Sequence, residues 1–322
     1  MKVLVKCFGF MGDVIYASSM AKKLKEQGFD KVTYLNGIRQ ATGLLERNPY
    51  IDTVLTTAQP TTDTTHISID EQFDRVILVK QCMFVDPPAI QMQKDAGIPD
   101  PSPEFTLYTD PSIDESVKKF YGDTPYLTVM ELTSWRRKSF LFTHQEYITG
   151  NDIPDRGFGG HNRNVELILN SMRDTIQKEH PDFGDVNVIY VGAPPEHSTL
   201  SLPFSNSHRS LDVEASIIKH SVAFIGAEGG LANVAAGVGT RTILTYDYVH
   251  QLYGWNGTVR KTLPEPKLGP RYYFPDVPHV DINPYLTDEE AGVEIGRCVC
   301  EDYSGKETGR IFIGPGEVRH WL

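Results

Sequence analysis

The sequence predicts an α/β chain built from two doubly wound halves, and three observations carry that prediction. Short apolar segments alternate with helical ones in each half, the pattern of βαβ units around a parallel sheet. The first of them, Lys2 to Cys7, runs into a glycine turn that delivers Asp13 to a helix. Farther on, the apolar segment Val222 to Ile225 runs into Glu228, then Gly229 and Gly230, then a helix of small residues from Leu231 to Gly237.

In the first half, strands are expected at residues 2–7, 31–35, 52–55 and 75–80, with a weaker one at 105–108. Apolar residues at Val14, Ile15, Ala17, Met20, Ala21 and Leu24 recur at helical spacing, so one helix is expected through about Gln27. Prolines at positions 87, 88, 99, 101, 103 and 111 close this half, and Ser112 to Tyr121 reads as a linking helix. The second half gives strands at Tyr126 to Met130, Val186 to Val191, Val222 to Ile225 and Arg241 to Thr245. Its helices fall at Asn164 to Glu179, Val213 to Lys219 and Thr287 to Cys300, the last opening on a Thr287-x-x-Glu290 capping box. The domains expected are 1–122 and 123–300, with 301–322 a short segment that packs back on the first. Residues 142–162 are glycine-rich, polar and long for an α/β loop, which suggests a flap near a ligand.

Two turns hold the chemistry. At Gly229 and Gly230 the backbone can approach a ligand, and the N–H groups that open the following helix face an anion, as a diphosphate requires. Glu228 would repel a diphosphate and fits neutral sugar hydroxyls better; an ordinary strand-to-helix turn explains the same residues equally well. Asp13 lies at the carboxyl edge of the first strand, where open parallel sheets bind ligands, although a first-turn aspartate that complements the helix dipole is the plainer reading.

Composition bounds the function. The chain has 322 residues, a 40% hydrophobic share and a formal net charge of −11. The acidic balance argues against broad nucleic-acid binding, which clustered lysine and arginine perform. Cys7, Cys82, Cys298 and Cys300 form no disulfide or metal framework, and the ten histidines show no paired ligand spacing. No metal and no cofactor are expected. Met1 leads directly into a strand and no apolar run approaches the ~20 residues that span a bilayer, so a cytoplasmic protein without a membrane segment is expected.

Four blocks resemble, in order, the ADP-heptose:lipopolysaccharide heptosyltransferases of glycosyltransferase family nine. They are Gly12-Asp13-Val14-Ile15 with its helix and the Leu44 to Asp52 stretch, Phe73 to Val79, Thr133 to Phe140, and Glu228 to Asn233. In the third, two hydroxyl residues, three variable positions, Lys138 and an aromatic follow the family pattern. In the fourth, Glu228 replaces the family's Asp, Gly229 its hydroxyl residue and Asn233 its His, each keeping part of the chemistry.

The resemblance implies a GT-B fold, two Rossmann-like domains facing each other across a cleft, and metal-independent, inverting sugar transfer from a nucleotide-diphosphate sugar to an acceptor hydroxyl. It assigns Asp13 as general base. Gly12, Thr133, Ser134, Lys138, Glu196, Glu228, Gly229, Gly230 and Asn233 go to the donor and its diphosphate. Lys80 and Gln81 follow the fourth strand of the first domain, a place that puts them on the acceptor side. A transferase acting on modified DNA bases, a sugar-nucleotide epimerase and a non-catalytic sugar-nucleotide-binding module remain alternatives. Donor, acceptor and oligomeric state are left open.

Overall fold

The computed structural model describes residues 1–57, 63–79, 88–102, 105–130, 164–183, 186–192, 210–226, 229–247, 279–282, 287–300, 310–314 and 317–321. They form two compact units that are not contiguous in sequence. The first comprises Met1–Gly122, His208–His220 and Asn233–Thr240; the second comprises Asp123–Ser207, Ser221–Ala232 and Arg241–Leu322.

The first unit holds a parallel sheet ordered β3 (Thr53–Thr56), β2 (Lys31–Asn36), β1 (Lys2–Cys7), β4 (Arg75–Val79). Five of six residues in β1 and in β2 are buried, because crossover helices and loops cover both faces of a parallel sheet. The strand order reverses at β1, with β2 on one side and β4 on the other, so the turn that leaves β1 opens at a topological switch point.

The helix expected through Gln27 is two helices, α1 (Met11–Ala17) and α2 (Met20–Glu26). Ser18 divides them: its Oγ donates to the Ile15 carbonyl at 2.6 Å, a side-chain bond that competes with helical continuation. Short helix α3 (Thr42–Glu46) follows β2, α4 (Pro88–Asp95) follows β4, and α5 (Pro111–Tyr121) is the linking helix that the sequence predicts. Residues 105–108 are not a strand; Leu107 donates its N–H to the Gly237 carbonyl at 2.8 Å and so serves a helix end in place of a sheet.

The second unit holds a five-stranded parallel sheet ordered β6 (Asn187–Tyr190), β5 (Tyr126–Val129), β7 (Phe224–Gly226), β8 (Thr242–Asp247), β9 (His279–Ile282). Leu127, Val129, Ile225 and Ile243 from the strands pack with Ile168, Met172 and Ile176 of α6 (Val165–Glu179). Helices α7 (Leu211–Lys219) and α8 (Gly230–Gly237) precede α9 (Asp288–Cys300), from which Ile295 and Val299 join that core. Gly292 and Gly296 let α9 lie directly against α6, since a Cβ at either would strike Ile168 or Thr175. The expected capping box is present: Thr287 N–H donates to Glu290 Oε2 at 2.7 Å and Glu290 N–H to Thr287 Oγ1 at 3.1 Å. An antiparallel hairpin, β10 (Arg310–Gly314) and β11 (Glu317–Trp321), belongs to this unit. Among the described residues no helix is long and apolar enough to cross a membrane.

Candidate functional site

The turn leaving β1 is shaped around one carboxylate. Gly9 has φ +142°, a conformation that favours glycine, and a Cβ there would strike the Asp13 carboxylate. The chain therefore bends tightly over Asp13, and the Phe10 N–H donates to Asp13 Oδ2 at 2.7 Å. That bond is one half of a capping box, so the dipole-complementing role open to a first-turn aspartate is realised in the structure. Asp13 is largely buried, at 9% exposed. Burial pushes the neighbouring Cys7 thiol far above its usual range, and the negative charge of Asp13 pushes it the same way, so Cys7 stays a neutral core thiol.

Asn233 joins this turn from far along the chain. Tyr16 Oη donates to Asn233 Oδ1 at 2.9 Å, and a Cβ on Gly12 would come within 2.5 Å of Asn233 Nδ2. Gly12, Asp13, Tyr16 and Asn233 all fall in the first unit. Gly12 and Tyr16 stand four residues apart in the first turns of α1, on one helical face, and Asn233 packs against both. Tyr16 was not singled out from the sequence. Its i, i+4 relation to Gly12 was readable there, but its partner 217 residues away was not.

In the second unit the strand order reverses between β5 and β7, which are paired neighbours, so the carboxyl ends of both strands lie at its switch point. Met130 closes β5 beneath that point. A Cβ on Gly226 would lie 2.8 Å from Met130 Cβ, and one on Gly229 would lie 3.7 Å from Met130 Cε. Gly229 and Gly230 thus stand where the sequence places an anion cradle, at the end of β7 and the start of α8. Thr133, Ser134 and Lys138 follow β5 in the chain, Glu196 follows β6, Glu228 follows β7, and Lys80 and Gln81 follow β4; all seven lie outside the described residues. The 142–162 segment lies outside them too.

A second ionic cluster belongs to the first unit. Asp114 accepts from Lys219 Nζ at 2.7 Å, Ser216 Oγ at 2.6 Å and Thr109 Oγ1 at 2.8 Å, with His220 Nε2 at 3.5 Å. Burial pushes Asp114 up, but the hydrogen bonds from Lys219, Ser216 and Thr109 and the Lys219 charge outweigh it and hold the carboxyl below its usual range. Arg47, within one of the motif blocks, bridges Asp212 and Asp110, reaching the latter at 3.1 Å. Hydrogen bonds from the side chain and backbone of Ser112, with help from Arg47, hold Asp110 at about 2. These two clusters fasten α7 to α3 and α5, and the arginine of the Leu44 to Asp52 block is a structural clasp. Among the described residues no group of three or more His, Cys, Asp or Glu side chains could hold a metal ion.

No protein-family profile and no curated protein matches the sequence. Solved structures do. A glycosyl transferase family 9 structure from Veillonella parvula superimposes with a TM-score of 0.60 at 12% identity, covering 94% of this chain and 97% of that one. The ADP-heptose LPS heptosyltransferase II of E. coli superimposes with a TM-score of 0.53 at 11% identity, covering 93% and 99%. Both likenesses run nearly end to end. The fold is therefore GT-B, with each unit a Rossmann-like α/β element.

Proposed function

We propose that the chain is a heptosyltransferase-like glycosyltransferase, moving a sugar from a nucleotide-diphosphate sugar to an acceptor hydroxyl with inversion and without a metal ion. The observation that carries this reading is the placement of Asp13. A carboxylate stands at the switch point of the first sheet, in the first turn of α1, in a chain whose fold is that of sugar transferases.

In the reaction, Asp13 takes the proton of the acceptor hydroxyl as its oxygen attacks the anomeric carbon, and the bond from that carbon to the diphosphate oxygen breaks on the opposite face. The departing diphosphate carries the negative charge. Lys138, the hydroxyls of Thr133 and Ser134, and the N–H groups of Gly229 and Gly230 are the groups assigned to receive it, work that a cation and a helix N-terminus perform without magnesium. Glu228 is assigned to the hydroxyls of the transferred sugar, and Glu196 to the nucleoside. An ordinary carboxylate is a weak base toward an alcohol, so positioning and concerted proton removal supply much of the rate. The protein would work in the cytoplasm, on a hydroxylated acceptor such as a glycan.

The test is a panel of ADP-, UDP-, GDP- and dTDP-sugars, followed for nucleoside diphosphate release in excess EDTA, with product sugars analysed for anomeric configuration. Release that persists in EDTA, with an inverted product, is the expected result. An isomerised nucleotide sugar as product would make the protein an epimerase, and binding without turnover would make it a binding module. Activity restored only by Mg²⁺ or Mn²⁺ would remove the metal-independent mechanism.

A further inference from the structure

We propose that Tyr16 is a positioning residue that fixes the Asn233 carboxamide so that its N–H is presented at the Gly12–Asp13 turn, where it meets the acceptor oxygen that Asp13 deprotonates. The proposal rests on the reading of Asp13 as the base and adds to it a donor for the same oxygen.

A carboxamide has one accepting end and one donating end, and turning it over exchanges them. The Tyr16 hydroxyl occupies the accepting end, Oδ1, at 2.9 Å. The donating end is thereby forced outward over Gly12, whose missing Cβ provides the room: any side chain at that position would collide with Nδ2 at 2.5 Å. Both partners are buried, Tyr16 at 5% and Asn233 at 3% exposed, so the pairing is made in a poorly solvated setting where orientation is held firmly. Among the described residues no acceptor meets Asn233 Nδ2.

An amide donor that meets no acceptor among the described residues, next to a carboxylate in the following position of the turn, complements a hydroxyl that is losing its proton. The proton leaves toward Asp13, negative charge grows on the oxygen, and an N–H aimed at it gains strength as the charge develops. The same donor would reject an acceptor that offers a hydrogen, such as an ammonium, at this position. Tyr16 never touches the substrate; it determines which end of Asn233 does. The edge-to-face contact of Tyr16 with Phe105, centroids 5.4 Å apart, holds the phenol ring itself in place.

Two readouts test this on the full chain. In protein carrying isotope-labelled asparagine side chains, the Asn233 amide pair is identified by its disappearance in Asn233→Asp. Tyr16→Phe should shift that pair and speed its exchange with water, and an unmoved pair would overturn the proposal whether or not any nucleotide sugar is turned over. In turnover of whichever nucleotide sugar the panel identifies, Tyr16→Phe should lower kcat about tenfold with less than about a twofold change in KM for the donor, as losing one orienting hydrogen bond implies. In an Asn233→Ala background the same change should add less than about twofold, because Tyr16 acts through Asn233. Multiplying effects, or a loss of thermal stability with kcat intact, would make Tyr16 a packing residue only. An Asn233 amide that responds to Tyr16→Phe while Asp13→Asn turns over like the wild type would sink the reading of Asp13 and the catalytic part of the proposal, leaving the orientation alone.

Discussion

Asp13 and Asp114 both sit in the first turn of a helix in the first unit, and both are largely buried, yet their surroundings differ in kind. Around Asp114 stand a lysine, two hydroxyls and a histidine, each from a sequence-distant or neighbouring element and each at bonding or ion-pair distance. Asp13 instead fills the place of the missing Cβ of Gly9 with its own carboxylate and accepts from the Phe10 N–H, while the Asn233 amide that Tyr16 holds fills the corresponding place at Gly12. A carboxylate ringed by cations and hydroxyls ties helices together. One on which glycines let the backbone close, at a switch point, stands where open parallel sheets bind ligands. The same residue type in the first turn of a helix thus reads as a peg in one case and as a reagent in the other.

The largest effect that would sharpen this contrast is on turnover. Asp13→Asn keeps shape and most hydrogen bonding while removing basicity, so kcat should fall by about 10² or more, with donor affinity within a few fold and little change in melting temperature. Near-wild-type turnover would remove Asp13 from the chemistry. Asp114→Ala should behave in the opposite way. It leaves Lys219 without its carboxylate and strands two hydroxyls, and because Lys219 is over a third exposed the loss is discounted to about 2 kcal/mol of stability, with turnover per folded molecule unchanged. Denaturant unfolding alongside the activity assay checks it, and an unchanged midpoint would mean that the cluster holds nothing.

A smaller effect is expected with pH. Burial, aided by Lys118 and Lys219 against the pull of Asp114, holds His220 below its ordinary value of 6.5. The unfolded chain therefore takes up that proton first as pH falls, so the contribution of His220 to stability is full above about pH 6.5 and is lost as pH falls through its lower folded-state value. Asp114, also depressed, adds a second loss at still lower pH by the same logic. Unfolding midpoints measured downward from pH 7 should decline earlier in the wild type than in His220→Gln; parallel declines would show that the cluster does not titrate this way.

Much of this organisation was legible in the sequence for a physical reason. Parallel strands buried on both faces read as continuous apolar runs, and the strand–turn–helix at residues 2–17 and again at 222–237 announces itself through glycine beside carboxylate. What was not legible depended on distant partners. Ser18 breaks a helix whose apolar spacing continues across it, Leu107 bonds a helix carbonyl in place of a strand, and Asn233, placed with the diphosphate groups by its motif, has its side chain packed on Gly12 and Tyr16. The short strand at His279–Ile282 follows a long aromatic stretch with no periodicity to mark it.

The measurement that bears most directly on the central claim is chemical rescue of Asp13→Ala with formate. Removing the carboxylate abolishes the base and the Phe10 N–H acceptor together, and a small carboxylate in solution can replace the base without restoring the helix cap. Turnover that rises at least about tenfold with added formate, while the melting temperature stays where the substitution left it, is the result predicted. Turnover in Asp13→Ala equal to the wild type per folded molecule, indifferent to formate, would contradict the account and leave Asp13 as the cap of α1 alone.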